Sequence, residues 1–410
     1  MTIRVKAVQF TANKARYALG KAVGPLFPGV HWGPFGNLRY RDVPVPALPG
    51  PRWVRVRTRY SGICGSDLNL IRLHNSPSSS PFVSFPFTIG HENVGVVTEV
   101  GSEVEGFSPG DRVAVDPLLN CTVRGIDSPC PHCQRGDFSI CDNFTRGDLA
   151  PGLLIGNCRD TGGGWSAFFV AHQGQLFKIP DGLSDEVAVL TEPLSCSLHA
   201  VARHRPAGGQ TVLVVGAGII GLGVIASLRA LGHRNRVIVL ARHDHQARAA
   251  ARLGADEVVP ARGEYDRQVA SLVGAAVYRP VLGPPVFRGG PELVFECVGN
   301  SRSIDDSLRL AGSGGKVVLV GLASTPRGID WSRVWLSQLT IAGTFAGGLE
   351  AIDGRTVSAF EKALELLASG AVPFDGLLTH RFPLNRYKEA IETALDKAGS
   401  GVIKAAFAFD

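Results

Sequence analysis

Two regimes of hydrophobic patterning divide the chain. Through the first 190 residues or so, apolar positions come in short alternating runs broken by Gly and Pro, as in strands that bury one face. Trp53-Val54-Arg55-Val56-Arg57-Thr58-Arg59-Tyr60 places Val54, Val56 and Thr58 on one face and Arg55, Arg57 and Arg59 on the other. Gly95–Gly101 reads as a second strand. Residues 11–50 have no clear period and several Gly and Pro, which predicts a long loop or lobe with no assigned role. Further on the apolar runs become continuous. Thr211–Val215, Arg236–Leu240, Leu293–Glu296 and Lys316–Val320 are strands of the kind buried on both faces of a parallel sheet. Helical periods lie between them, one aligning Leu222, Ile225 and Leu228 before Gly232, another running from Ala247 to Leu253 before Gly254. Residues 266–290, with Pro280, Pro284 and Pro285, predict a surface loop. Strand and helix alternate, so this part is a doubly wound α/β domain. Two amphipathic helices follow, presenting Phe360, Leu364 and Leu367, then Tyr387, Ile391 and Leu395. A last strand, Val402–Phe407, returns to the first domain. The expected division is a β-rich domain over 1–193 with a cysteine lobe near 118–145, a dinucleotide-type domain over 194–349, and a return over 350–410.

With 410 residues, 45% of them apolar and 19% charged, the chain is globular and supports two or three domains. No apolar run reaches the length of a membrane span. The net charge is +6, but Lys and Arg are scattered among acids, which argues against a nucleic-acid-binding face. Met1–Ala7 alternates like a strand and lacks the charged head and apolar block of a signal peptide, so a cytoplasmic protein is expected. Four of the eight cysteines fall between Cys121 and Cys141, which points to metal rather than disulfides.

Two metal sites of different character are implied. Cys64, in Gly62-Ile63-Cys64-Gly65-Ser66-Asp67, and His91, in Gly90-His91-Glu92, offer a thiolate and an imidazole from Gly-flanked turns. Asp67 is placed to hold the other nitrogen of His91. A carboxylate at Glu92 or at Glu192, in Thr191-Glu192-Pro193-Leu194, serves as third ligand. Either Cys64 or His91 alone reads as an ordinary core residue; together with their glycines they read as a centre with an open position. In the second cluster, Cys130-x2-Cys133-x7-Cys141 supplies three thiolates, one short of a closed tetrahedral site. His132 is expected to be exposed, and Cys158, Cys196 and Cys297 need no special role.

Gly216-Ala217-Gly218-Ile219-Ile220-Gly221 follows a buried strand and opens a helix, the context in which a glycine triplet cradles a pyrophosphate. About twenty residues further on, where NAD binding places an acid, stand Ala241 and Arg242. A missing acid and an adjacent cation favour NADP over NAD; Asp244 comes three positions late for the ribose diol. Gly299 and Gly321 lie at later strand ends on the cofactor side.

Gly90-His91-Glu92-x2-Gly95-x5-Gly101-x2-Val104 resembles the zinc signature of the medium-chain alcohol dehydrogenases. The order of parts is similar over nearly the whole chain, and Cys-Gly-Ser-Asp with Glu-Pro-Leu resembles the polyol, threonine and sugar dehydrogenase branch. The resemblance implies a GroES-like catalytic domain joined to a Rossmann domain. It implies a catalytic zinc on Cys64, His91 and Glu92 or Glu192, and a structural zinc. The family's lobe reads Cys-x2-Cys-x2-Cys-x7-Cys, which would put a cysteine at Asp127. An insertion within Thr122–Pro129 makes Cys121 the fourth ligand, with Asp127 as the alternative. Ser66 resembles the relay residue that takes the hydroxyl proton, whereas Asn69 stands where some relatives carry a histidine. The implied reaction is hydride transfer between a small alcohol (polyol, sugar or amino alcohol) and a nicotinamide cofactor, by a homodimer or homotetramer. The alternatives are an aldehyde or formaldehyde dehydrogenase-like enzyme, and a non-catalytic dinucleotide-binding protein of the same fold. A zinc-free reductase would lack Cys64 and His91.

Overall fold

The computed structural model describes residues 3–410, so Met1 and Thr2 of the expected first strand lie outside the described residues. Contacts divide the chain into two units, Met1–Glu192 with Phe374–Asp410, and Pro193–Pro373. The expected return at 350 therefore begins at 374. Residues 350–373 stay with the second unit because Glu350 is buried there against the helix Thr191–Arg203, 2.6 Å from His199 Nδ1 and 2.9 Å from Arg203 Nε.

In the first unit the strand Trp53–Gly62 runs through a seven-stranded sheet, antiparallel to Glu92–Val100, Phe168–His172 and Lys404–Ala408. Its alternation is realised: Val54, Val56 and Thr58 are buried and Arg55, Arg57 and Arg59 are half-buried. The buried face packs into a core with Val97, Val113, Val115 and Phe169. A second core gathers Trp32, Ile63, Ile71, Leu73, Ile89, Trp165, Ile391 and Phe407. Each fully buried aliphatic side chain of this kind contributes about 1.5–3 kcal/mol, and Ile71 and Leu73 fasten the helix that carries the first metal cluster.

Residues 11–50 are not a loop. Asn13 caps a helix over Lys14–Val23, and Leu38–Pro44 pairs antiparallel with Arg4–Phe10. The helix buries only Gly20, which sits against Leu73 and His31, so its sequence carries no apolar stripe to announce it. Residues 266–290 are likewise ordered, as the end of a helix Tyr265–Leu272 and a hairpin of Ala276–Tyr278 with Val286–Arg288. The three prolines lie between the hairpin strands, where no ladder amide is needed.

The second unit holds six parallel strands in the order Glu257–Pro260, Val237–Ala241, Val212–Val215, Leu293–Glu296, Lys316–Leu319 and Thr340–Gly343. Chain order reverses between Val212–Val215 and Leu293–Glu296, which makes their carboxyl ends a topological switch point. Among the described residues, no helix is long and apolar enough to cross a membrane.

Candidate active site and metal centres

Cys64 is the N-cap of the helix Gly65–Ile71. The Asp67 carboxylate, one turn in, accepts the Cys64 amide at 2.9 Å and closes a capping box. Its other oxygen lies 3.4 Å from His91 Nδ1. Asp67 thus fixes both residues, and a proton held on Nδ1 leaves Nε2 as the ligating nitrogen. Burial lowers the His91 pKa, while Asp67 and then Cys64 raise it, and the balance lies well above the ordinary value. The environment is one that attracts positive charge. One ligand atom each from Cys64, His91 and Glu92 lie within 4.8 Å of one another. This donor set suits a catalytic zinc, which takes three protein ligands and keeps one position open. Ser66 is in the first turn of the same helix and partly exposed, as is Asn69 in the next.

Glu92 is buried, and a Cβ at Gly62 would fall 1.9 Å from its Oε2, so only glycine leaves room for the carboxylate. Its partner is Lys404, buried and ion-paired with it from the strand Lys404–Ala408. Burial lowers the Lys404 pKa, while Glu92, Cys64 and, more weakly, Glu192 raise it, and the net shift is upward. Glu192 is therefore near but falls outside the three-residue group. Lys404 was not anticipated from the sequence. The available signal was a lone charge in the apolar run Val402–Phe407.

Cys121, Cys130, Cys133 and Cys141 form the second group, their sulfurs within 4.8 Å of one another. Cys121 Sγ and Cys141 Sγ are 3.6 Å apart. Four thiolates at tetrahedral Zn–S distances would stand about 3.8 Å apart, so the set fits a closed zinc site. Asp127 is outside the group, and His132 turns instead to Arg135 at 3.1 Å. Amides of Cys130 and Asn143 donate to Cys121 and Cys141 sulfurs at 3.3 Å, as suits thiolates. Arg124, wholly buried, donates to the carbonyls of Leu119, Arg146, Leu149, Ala150 and Gly152 and so pins the loops that carry the cysteines. It lies inside the segment read as an insertion, where nothing distinguished it from a surface arginine.

In the second unit, Gly216–Gly218 joins the strand Val212–Val215 to the helix Ile219–Ala230, which Gly218 caps. A Cβ at Gly221 would fall 1.9 Å from Gly216 O, so the turn requires glycine there. The amides of Ile219 and Ile220 then open the helix toward any phosphate bound at its end. Ala241 closes its strand and is buried, Arg242 is exposed, and exposed Asp244 is 3.8 Å from Arg262. These residues fit a dinucleotide and offer a cation, not an acid, at the ribose position.

Comparison with known proteins gives the chain a family. The family model for the alcohol dehydrogenase GroES-like domain matches residues 50–181, and that for zinc-binding dehydrogenase matches residues 220–369. An L-idonate 5-dehydrogenase of Vitis vinifera is 30% identical over 376 residues, covering 90% of this chain and 92% of that protein. A sorbitol dehydrogenase of Bos taurus is 32% identical over 367 residues, covering 90% and 92%. A Sinorhizobium meliloti 1021 protein assigned as a zinc-binding dehydrogenase and solved with NADP is 28% identical with a TM-score of 0.71, covering 99% of this chain and 100% of that one.

Proposed function

The chain belongs to the zinc-dependent medium-chain alcohol dehydrogenase family, polyol dehydrogenase-like, and from that premise we propose that it oxidises a hydroxyl of a small polyol or sugar with NADP as acceptor, and catalyses the reverse. It is a zinc-dependent alcohol oxidoreductase. What carries the finer reading is the Cys64–His91–Glu92 group with Asp67 behind it, in a chain whose other unit carries the glycine loop and Arg242.

Cys64, His91 and Glu92 would hold the catalytic zinc, and Glu192 stays outside that group. Cys121, Cys130, Cys133 and Cys141 would hold the structural one. A zinc ion so held would supply a Lewis acid that lowers the pKa of the substrate hydroxyl, and a bound nicotinamide would supply the hydride acceptor. The chain's own residues do the rest. Asp67 keeps the His91 tautomer and orientation. Ser66, two residues from Cys64, receives the hydroxyl proton; Asn69 cannot carry it further, so the proton leaves by solvent or a cofactor hydroxyl. Lys404 balances the charge of Glu92. Ile219 and Ile220 amides would meet the pyrophosphate, and Arg242 would meet the 2′-phosphate. Gly299 and Gly321 let the backbone approach the nicotinamide end.

We infer a cytoplasmic homodimer or homotetramer, with the thiols of Cys121, Cys130, Cys133 and Cys141 engaged by metal rather than by disulfides. Metal analysis with NADPH and NADH titration by fluorescence tests the reading, followed by a polyol and sugar screen. Two zincs per chain, tighter NADPH binding and turnover of a polyol are expected. One zinc would remove Cys64 and His91 from metal binding, and tighter NADH binding would overturn the role of Arg242.

A further inference from the structure

Glu296 ends the strand Leu293–Glu296 and is wholly buried. Its Oε1 accepts the amides of Val298 at 2.9 Å and Gly299 at 2.8 Å, which folds Cys297–Gly299 over the carboxyl. Its main-chain oxygen accepts the amides of Val320 at 2.9 Å and Gly321 at 2.8 Å, beyond the neighbouring strand. One residue therefore ties together the loops that follow two adjacent parallel strands. The loops interlock closely. A Cβ at Gly321 would fall 2.3 Å from Gly299 N and 2.7 Å from Glu296 Oε2, and one at Gly216 would fall 2.4 Å from Val298 Cγ2.

Two features exceed what a simple turn requires. Glu296 Oε2 is buried with no hydrogen-bond partner, an arrangement that costs stability and that an apolar side chain would avoid. Burial pushes the carboxyl pKa up, against Ser303 and the Gly299 and Val298 amides that lower it. The loops so held also leave Val298 and Leu322 about half exposed, at 49% and 46%, beside the glycine turn. In a sheet of this strand order a dinucleotide crosses the switch point. Its adenosine would lie toward Val237–Ala241 and its other half toward Leu293–Glu296 and Lys316–Leu319, given that strand order.

We propose that Glu296 is a positioning residue for the nicotinamide half of the cofactor, holding Val298 and Leu322 as the apolar wall on which that half rests. The inference rests on the dinucleotide reading above and adds to it the residue that shapes the redox end. Glu296 does not touch the reacting atoms; it acts through the Cys297–Gly299 turn.

The test compares Glu296→Ala, Glu296→Gln and Val298→Ala in the full chain, titrating NADPH by fluorescence and 2′,5′-ADP by calorimetry, with zinc content measured alongside. The 2′,5′-ADP probe reports the adenosine end alone. Glu296→Ala is expected to weaken NADPH binding about tenfold or more, since two amides lose their acceptor, and to leave 2′,5′-ADP binding and zinc content unchanged. Glu296→Gln keeps an acceptor oxygen and is expected to restore NADPH binding to within about threefold of wild type. Val298→Ala, at a half-exposed position where folding is safe, is expected to weaken NADPH and not 2′,5′-ADP. Should Glu296→Ala fail to fold, Glu296→Gln and Val298→Ala still decide. Equal loss of both probes in Glu296→Gln, or unchanged NADPH binding in Val298→Ala, would overturn the proposal. Wild-type protein that binds neither probe would instead overturn the dinucleotide reading itself, and the proposal with it.

Discussion

Glu92 and Lys404 form a buried ion pair beside Cys64 although 312 residues separate them in the chain. With Cys64 as thiolate, Asp67 and Glu92 bring the local negative charges to three, and Lys404 supplies one positive charge. Lys397 also acts on Cys64 and Lys404, so the negative excess that a metal cation meets there is smaller than the carboxylates alone suggest. The pair thus bears on stability and on metal charge together.

Lys404→Met is expected to destabilise the protein by about 3–5 kcal/mol, because it strands a buried carboxylate rather than removing a bond from the surface. Adding Glu92→Gln should recover most of that loss. Urea unfolding of the two variants decides the matter; a single-variant loss below about 1 kcal/mol would mean the pair is relieved by water or metal instead.

Cys121→Ser is expected to release one of two zincs and to lower the unfolding midpoint, whereas Asp127→Asn keeps both metals. Arg124→Met removes no ligand, yet it strips the donor from five carbonyls and should loosen the same zinc. Metal analysis after dialysis against a chelator reads all three.

Arg242→Ala is expected to raise the Kd for NADPH by about tenfold to a hundredfold, the worth of one charge-assisted phosphate contact, with NADH changed less than about twofold. Ala241→Asp should invert the preference by repelling the 2′-phosphate and offering the ribose diol an acceptor. Fluorescence titration of both cofactors gives the ratio directly.

Burial pushes the Asp116 carboxyl from 3.8 up to about 6, against the Leu118 amide that lowers it. Between these values the folded chain holds more protons than the unfolded one. Stability therefore falls as pH rises from about 4 to about 6 and stays lower above. The full shift is worth about 3 kcal/mol, a ceiling because Asp116 is partly exposed. Asp116→Asn keeps the Leu118 amide bond. It should remove this slope and stabilise the protein at neutral pH by about 1–3 kcal/mol in urea melts across that range.

The parts legible in the sequence were those in which neighbours in the chain are neighbours in space. The parallel strands announced themselves as continuous apolar runs, and the Cys64-to-Asp67 turn encodes its own capping box. Cys121 could be named, beside Asp127, only because the resemblance implied a fourth ligand ahead of Cys130. What escaped depends on distant partners. Lys404 gains meaning only when its strand pairs with Trp53–Gly62, and Arg124 only when the carbonyls of 146–152 fold over it. The helix Lys14–Val23 escaped because it buries a glycine, which leaves no hydrophobic period to detect.

The pairing of Glu92 with Lys404 also sets an order of events during synthesis. At about 5–20 residues per second, roughly 15–60 s pass between the making of Glu92 and the making of the lysine that balances it. Through that interval the first unit lacks both a sheet strand and a cation. The centre that performs the chemistry is consequently among the last places to mature, and a chain broken off before Lys404 closes around an uncompensated carboxylate.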